Sequence, residues 1–388
     1  MNESSSPPGI PSPARLAAWL NGHVPGGPVE LTDIQLIAGG RSNLTYRLTV
    51  QGPGPGPGAA PGTGPEAAPG TGPGAEGTRL LVLRRPPLGH VLPTAHDMSR
   101  EFRVLSALAG TRVPVAPLVA SCTDVEVIGA PFYVMEYVPG VVLRTRADTK
   151  ALTEAQAADL SRRLAEMLAA IHAVDVDQVG LGDLGRGAGY LRRQLDRWQR
   201  QWELSATQDR PGYTQLVERL TAALPAETEG QTTLVHGDYR LDNALVTLDP
   251  QPRITAVVDW EMATLGDPLA DLGLTLVYWT EDGEEGWLTP AGAPAGTRGV
   301  TADATASPGF WTRAEFAAEY ARLTGRDVSR IGYYVAFGYF KLAVVLEGIH
   351  ARYQQGKTVG EGFEQEGFAV PLLIARAHEV LNGEPKST

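Results

Sequence analysis

The sequence predicts an α+β fold in two lobes: a small N-terminal β-sheet lobe with one key helix, then a larger, mainly helical C-terminal lobe. Three observations predict it. Strand-like alternation dominates the first part of the chain, as in Leu44, Tyr46, Leu48 and Val50 with polar residues between them. Helical text dominates later, from about residue 185 to 225 and again from 310 to 380. Between these runs, LVHGDYRLDNALVTLDPQPRITAVVDWE reads as strand, loop, strand, turn, strand.

In chain order, residues 1–13 are polar and Pro-rich and are expected to form a disordered tail. Ala14 to Leu20 suits a short helix, and Leu31 to Leu48 a strand, a Gly-containing turn and a second strand. Residues 52–77 are nearly all Gly, Pro, Ala, Thr and Glu and contain APGTGPEA followed by APGTGPGA. Such text cannot bury apolar surface, so a flexible insert is expected before the strand Leu80 to Arg84. Thr94 to Leu108 reads as a helix with Phe102, Leu105 and Ala109 on its apolar face, and Thr94 and Asp97 as capping partners. Phe132 to Val138 is a buried strand that ends in Pro139-Gly140, the expected hinge. This places the N-terminal lobe at 14–137 and the C-terminal lobe at 138–380, with a tail at 381–388. Thr153 to Gln156 forms a capping box for a long helix faced by Leu160, Leu164, Met167, Leu168 and Ile171.

Composition narrows the function classes. A net charge of −11 opposes a nucleic-acid partner, whose phosphates demand a basic face. The single cysteine, Cys122, allows no intrachain disulfide and no Cys-type metal cage, which fits a reducing compartment. The N-terminus lacks the apolar core of a signal peptide, and no apolar run approaches a membrane span. A cytoplasmic protein without a membrane partner is expected. Oligomeric state is not legible.

The chemistry lies in His236-Gly237-Asp238, with Asn243 five residues after Asp238 and Asp259 sixteen further on. Asp, Asn and Asp in that order are what phosphoryl transfer from ATP needs. Asp238 accepts the proton of, or orients, the acceptor hydroxyl; Asn243 and Asp259 hold Mg²⁺ on the phosphates. Three oxygen-bearing side chains suit a hard cation. His236 is expected to brace the loop rather than handle protons. Asp267 and Asp271 are expected to cap and complement a helix that starts at Pro268.

Five motifs then occur in order: a Gly-rich turn at Gly39 to Asn43, Arg84 on the third strand, Glu101 on the next helix, a hinge, and HGDYRLDN followed by VVDWE. In this order the chain resembles the aminoglycoside phosphotransferase family, whose fold is bilobal and protein-kinase-like. VLRRPPLGHVLPTAHDMSREFRVLSAL, IGAPFYVMEYVPG and YFKLAVVLEGIHARY resemble the kinase-like domains fused to acyl-CoA dehydrogenases. The resemblance implies that backbone at Gly40, with Ser42 and Asn43, faces the phosphates. Arg84 grips phosphate oxygens with Glu101 as its partner, although many relatives place Lys there. The backbone from Glu136 to Val138 meets adenine. Arg85, on the other strand face, is expected to be solvated.

A small molecule with a hydroxyl group is the expected acceptor, with its pocket expected beyond Leu272. Tyr278, Trp279, Tyr334, Phe337, Tyr339, Phe340, Lys341, Glu347 and Arg352 are candidates, though aromatic residues at helical spacing are more often core. The subgroup resemblance implies a hydroxyacyl-CoA or hydroxy acid. Glu281, Asp282, Glu284 and Glu285 form an acidic patch that could attract a polycationic antibiotic, or simply a solvated loop. The alternatives are an aminoglycoside or macrolide kinase and a nucleotide-binding pseudokinase.

Overall fold

The computed structural model describes residues 7–37, 43–52, 77–88, 97–225, 232–284, 302–356 and 366–383. The chain divides into two compact units, Met1–Gly140 with Thr255–Glu261, and Val141–Ile254 with Met262–Thr388.

The first unit is a five-stranded antiparallel sheet with helices. Its elements are α1 (Pro13–His23), β1 (Glu30–Leu36), β2 (Leu44–Gln51), β3 (Thr78–Arg85), α2 (Met98–Leu108), β4 (Leu118–Cys122), α3 (Val125–Ile128) and β5 (Phe132–Glu136). The strands run in the order β1-β2-β3-β5-β4. Tyr46, Leu48 and Val50 of β2 are buried at every second position, as the pleat requires. The core that they enter also holds Leu81, Leu83, Phe132 and Val134. Residues 53–76 of the expected insert lie outside the described residues. At its base the Gly52 N–H donates to the Gly77 carbonyl at 2.9 Å and closes the β2–β3 hairpin.

Three expectations for this unit change. Part of the expected N-terminal tail is ordered, because Ile10 is 0% exposed and joins Leu16 and Leu20 in the core. The Tyr46 hydroxyl donates to the Pro8 carbonyl and holds this segment against the sheet. Arg85 is not solvated but 5% exposed: its Nη1 donates to the carbonyls of Gly9 and Ile128, and its Nε to that of Pro86. Carbonyl dipoles replace water around the guanidinium, which offsets its desolvation. Helix α2 is capped by Asp97, which accepts from the Ser99 and Arg100 N–H groups, and Thr94 lies outside the described residues. Its buried face is Met98, Glu101, Val104, Leu105 and Leu108, so the helix is rotated from the expected face and turns Glu101 inward.

The second unit is mainly helical, with short strands. It contains α4 (Arg146–Thr149), α5 (Glu154–His172), α6 (Tyr190–Ser205), α7 (Tyr213–Ala222), β6 (Thr233–Val235) and β7 (Ala244–Thr247). Strand β8 (Arg253–Val257) carries the chain from this unit into the first. There follow β9 (Thr264–Gly266), antiparallel to β6, then α8 (Pro268–Tyr278), α9 (Arg313–Thr324), α10 (Ile331–Gln354) and α11 (Glu366–Asn382). The Thr153–Gln156 capping box opens α5, whose Leu160, Leu164, Leu168 and Ile171 are buried.

Helix α10 departs from the expectation that no apolar run approaches a membrane span. It is 24 residues long and apolar enough to cross a membrane by length and composition, but 67% of its apolar window is buried inside the protein. Its apolar sequence serves packing against α8 and α11. Gly273 of α8 and Gly338 of α10 let these helices approach. A Cβ on Gly273 would lie 2.5 Å from the Tyr334 carbonyl carbon, and one on Gly338 2.9 Å from Val277 Cγ2.

Candidate active site

The site residues fall into two sets, one in each unit. In the first unit, β3 and α2 bring Arg84 and Glu101 together. Arg84 Nε donates to Glu101 Oε2 at 3.1 Å, and Arg84 Nη2 donates to Asp259 Oδ1. All three are largely withdrawn from water, Glu101 to 2% exposure. Burial pushes the Glu101 carboxyl up to about 7, against the pull of Arg84. Burial pulls on Arg84 in the other direction, but the carboxylates of Glu101 and Asp259 outweigh it and hold the guanidinium above its ordinary value. Tyr133, the cross-strand partner of Arg84, hydrogen-bonds Glu101 and is itself pushed up by burial.

Asp259 sits at the end of β8 with φ 68° and is the one non-glycine residue at positive φ among those described. Asp tolerates this left-handed conformation better than most residues, yet it remains sparsely populated. Such a backbone persists where its surroundings fix it, and strain of this kind gathers at functional sites. Trp260 is buried and donates from Nε1 to the Val257 carbonyl at 2.9 Å, which anchors the turn.

Asn43 is 2% exposed, and its Nδ2 donates to Glu261 Oε2 at 2.8 Å. Its Oδ1 is buried with no hydrogen-bond partner in the described structure. Gly40 and Ser42 lie outside the described residues. At the end of β5 the Glu136 side chain pairs with Arg79, the Glu136 N–H donates to the Pro117 carbonyl at 2.8 Å, and the Tyr137 N–H donates to that of Leu80 at 3.1 Å. Val138 follows, half-buried, and its N–H has no hydrogen bond among those described.

In the second unit, β6 delivers His236-Gly237-Asp238 and a 3-10 turn at Leu241–Asn243 brings Asn243 back to it. Asn243 Nδ2 donates to the Asp238 carbonyl at 2.8 Å and to Asp238 Oδ2 at 3.1 Å. The amide nitrogen is thus committed, and Asn243 Oδ1 is the atom left to meet a cation. Arg240 Nε lies 3.5 Å from Asp238 Oδ2 and 3.2 Å from Asp242 Oδ1. Tyr278 hydrogen-bonds Asp238, its ring lies 4.6 Å from the Arg240 guanidinium, and burial pushes its hydroxyl up.

The loop is braced from beneath. Gly237 has φ 84°, and a Cβ there would lie 2.7 Å from the Met262 carbonyl oxygen, so glycine is required on both counts. Asp271 of α8 accepts from the His236 N–H at 2.6 Å and the Gly237 N–H at 2.8 Å. Against its burial, His172 and His236 hold the Asp271 carboxyl below its ordinary value. His172 lies 3.3 Å from Asp271 through Nε2 and 2.7 Å from the Tyr320 hydroxyl through Nδ1. His236 is fully buried, accepts from the Asp238 N–H at 3.3 Å and lies edge-on to Tyr239, the bracing position expected of it.

The sequence marks Asp271 only as a helix-end charge and does not single out Arg240. Asp271 lies four residues after Asp267, one turn into α8, where only the fold reveals two N–H groups above it. Arg240 lies within HGDYRLDN and could have been singled out on position alone. Of the acceptor candidates, Trp279, Tyr334, Phe337, Tyr339 and Phe340 are buried. Glu347 is buried as well and accepts from Thr207 and Arg210. Tyr278 and Lys341 reach the loop at Gly237 and Asp238. The acidic patch is no simple solvated loop, because Glu281 and Glu284 are both ion-paired to Arg313 and Glu284 is buried.

A sequence model described as the phosphotransferase enzyme family, APH, matches residues 33–303. Acyl-CoA dehydrogenase family member 11 of Homo sapiens is 32% identical over 352 residues, which are 89% of this chain and 40% of that protein. Family member 10 of Mus musculus is 34% identical over 291 residues, 74% of this chain and 26% of that protein. The chain therefore spans less than half the length of these curated relatives. A crystal structure from Ralstonia eutropha, provisionally named an aminoglycoside phosphotransferase, is 31% identical with a TM-score of 0.72 over 97% of this chain and 99% of that one. With its antiparallel sheet unit, its helical unit and these matches, the chain belongs to the kinase-like aminoglycoside phosphotransferase (APH) family of phosphotransferases.

Proposed function

We propose that the protein is an ATP- and Mg²⁺-dependent phosphotransferase that moves the γ-phosphate to the hydroxyl of a small molecule. The observation that carries this reading is the Asn243–Asp238 pair. One side-chain amide nitrogen is committed to the Asp238 carbonyl and carboxylate by two bonds, which leaves the Asn243 oxygen as its remaining polar atom.

The donor set fits Mg²⁺, since Asn243 Oδ1 and the Asp259 carboxylate are hard oxygen donors. When bound, the cation neutralises phosphate charge. The residues of this chain do the rest. Arg84, held by Glu101, binds phosphate oxygens with a planar fork. The fixed αL turn keeps Asp259 at the end of β8. Asp238 accepts a hydrogen bond from the acceptor hydroxyl, aims its oxygen at the γ-phosphorus, and takes the proton as the O–P bond forms. ADP departs as the leaving group. The phosphate-facing roles of Gly40, Ser42 and Asn43, and the adenine contact at Glu136 to Val138, belong to the same reading. With the Glu136 and Tyr137 N–H groups already bonded, Val138 supplies the donor to the base. Catalysis is then mainly positioning and charge stabilisation.

Solved structures described as complexes with ADP, AMP-PNP and GDP share this fold, and a nucleotide donor is part of this reading. The acceptor is a hydroxy acid or hydroxyacyl-CoA in this reading, by kinship with the acyl-CoA dehydrogenase family members. A cytoplasmic enzyme without a membrane partner is part of the proposal. ADP formation from Mg·ATP, for wild type and Asp238→Ala, tests it with three acceptor pools: hydroxy acids and hydroxyacyl-CoAs, aminoglycosides and macrolides, and sugar alcohols. Turnover with the first pool that vanishes in Asp238→Ala is expected. Turnover with antibiotics alone would reassign the acceptor, and ATP binding without turnover in any pool would favour a pseudokinase.

A further inference from the structure

Lys341 has no role in the mechanism above, yet it is placed against the catalytic loop. It projects from α10 and its Nζ donates to the Gly237 carbonyl at 2.7 Å. The N–H of the same residue donates to Asp271 of α8 at 2.8 Å. Gly237 is therefore held at both ends by opposite charges from two helices, an ammonium on its carbonyl and a carboxylate on its N–H. Those helices approach closely through Gly273, two residues after Asp271, and Gly338, three residues before Lys341. The charges and the close approach thus come from the same stretch of each helix.

A long, strongly hydrated side chain is costly to place here. Burial pulls the Lys341 ammonium below its ordinary value, while Asp238 and Asp271 pull it back up. The Trp198 ring, 5.7 Å from Nζ, supplies an aromatic face for the cation. A methionine would fill this volume without that cost, so packing alone does not account for an ammonium on a glycine carbonyl. A charged group bonded to a carbonyl holds it more firmly than a neutral donor does. The peptide so held leads directly into Asp238.

We propose that Lys341 is a positioning residue for phosphoryl transfer, fixing the Gly237–Asp238 peptide so that the Asp238 carboxylate stays aimed at the acceptor hydroxyl. This rests on the phosphotransferase reading of Asp238. A displacement of about 1 Å in such a group is enough to cost on the order of a hundredfold in rate. Lys341 touches neither nucleotide nor acceptor in this account, so its loss acts on kcat and spares ATP binding.

The test uses the full chain with Mg·ATP and water as acceptor, read as phosphate release, with ATP affinity measured by calorimetry. Lys341→Met is expected to lower kcat by at least about tenfold while KM for ATP stays within about twofold. Lys341→Arg, which keeps the charge and the donor, is expected to recover most of the loss. Should Lys341→Met not fold, Lys341→Gln takes its place, with turnover lost in Gln and kept in Arg. A Met or Gln variant within about twofold of wild-type kcat would overturn the positioning role and leave the phosphotransferase reading intact. Equal loss of ATP affinity and kcat would overturn it too. A wild type that binds Mg·ATP but turns over neither with water nor with any of the three acceptor pools would overturn the underlying reading, and this inference with it.

Discussion

Glu101→Gln separates two effects of the Arg84–Glu101 pair, on stability and on nucleotide handling. The carboxyl is 2% exposed, and burial raises it from an ordinary 4.5 to about 7. At about 1.4 kcal/mol per unit, the ionised form is about 3 kcal/mol less favourable in the fold than in the unfolded chain. The native state holds this proton more tightly between the two values, so stability falls as pH rises from 4.5 through about 7. Gln does not ionise and lacks that slope. Between about pH 5.5 and about pH 8.5, linkage costs the wild type about 2 kcal/mol that the variant does not lose. Urea unfolding at the two pH values reads this difference directly. Nucleotide binding should move in the opposite sense. At the higher pH the ionised carboxylate helps to hold Arg84 on the phosphates, so KM for ATP should rise several-fold in the variant; at the lower pH the two proteins should agree. A stability difference between wild type and variant that does not shift between the two pH values would refute the reasoning. An unchanged KM at both values would remove Glu101 from the nucleotide site.

Two further outcomes follow from the geometry. Ile10→Ala should cost about 2–4 kcal/mol in chemical denaturation, because the side chain is fully buried against α1 and the sheet, and a cost near zero would mean that the N-terminal segment is not part of the core. Asn243→Ala removes an oxygen donor and the two bonds on Asp238, so turnover should need several-fold more Mg²⁺ and fall at saturation; unchanged Mg²⁺ dependence would exclude Asn243 as a ligand.

The sheet and the late helices were legible because their patterns repeat. Tyr46, Leu48 and Val50 alternate, and Leu160, Leu164, Leu168 and Ile171 recur at helical spacing, so one burial rule fixes many residues at once. The order Asp238, Asn243, Asp259 stands out in the sequence because phosphoryl transfer, the proposed chemistry, leaves few choices of side chain. What escaped the sequence were charges whose partners are backbone. Arg85 looks like any strand-end cation, and its burial follows from carbonyls of Gly9 and Ile128 far away in the chain. Glu101 was assigned to the right partner, yet the apolar face of α2 was placed too far along. A Glu within a buried stripe resembles a polar interruption until its cation is known. Asp271 was read from its position in a helix, whereas its function is set by the two N–H groups of a loop that precedes it by more than thirty residues. Helix α10 shows the converse, since a core helix and a membrane helix share one composition and only packing separates them.

The central claim is that Asp238 serves chemistry and not nucleotide binding. The direct measurement is Mg²⁺-dependent ADP formation by wild type and Asp238→Asn, paired with the ATP dissociation constant of each. General acid–base removal predicts a fall in turnover of about a hundredfold or more, with ATP affinity unchanged within about twofold. Turnover that survives in Asp238→Asn, or that falls only as far as ATP affinity does, would contradict the account.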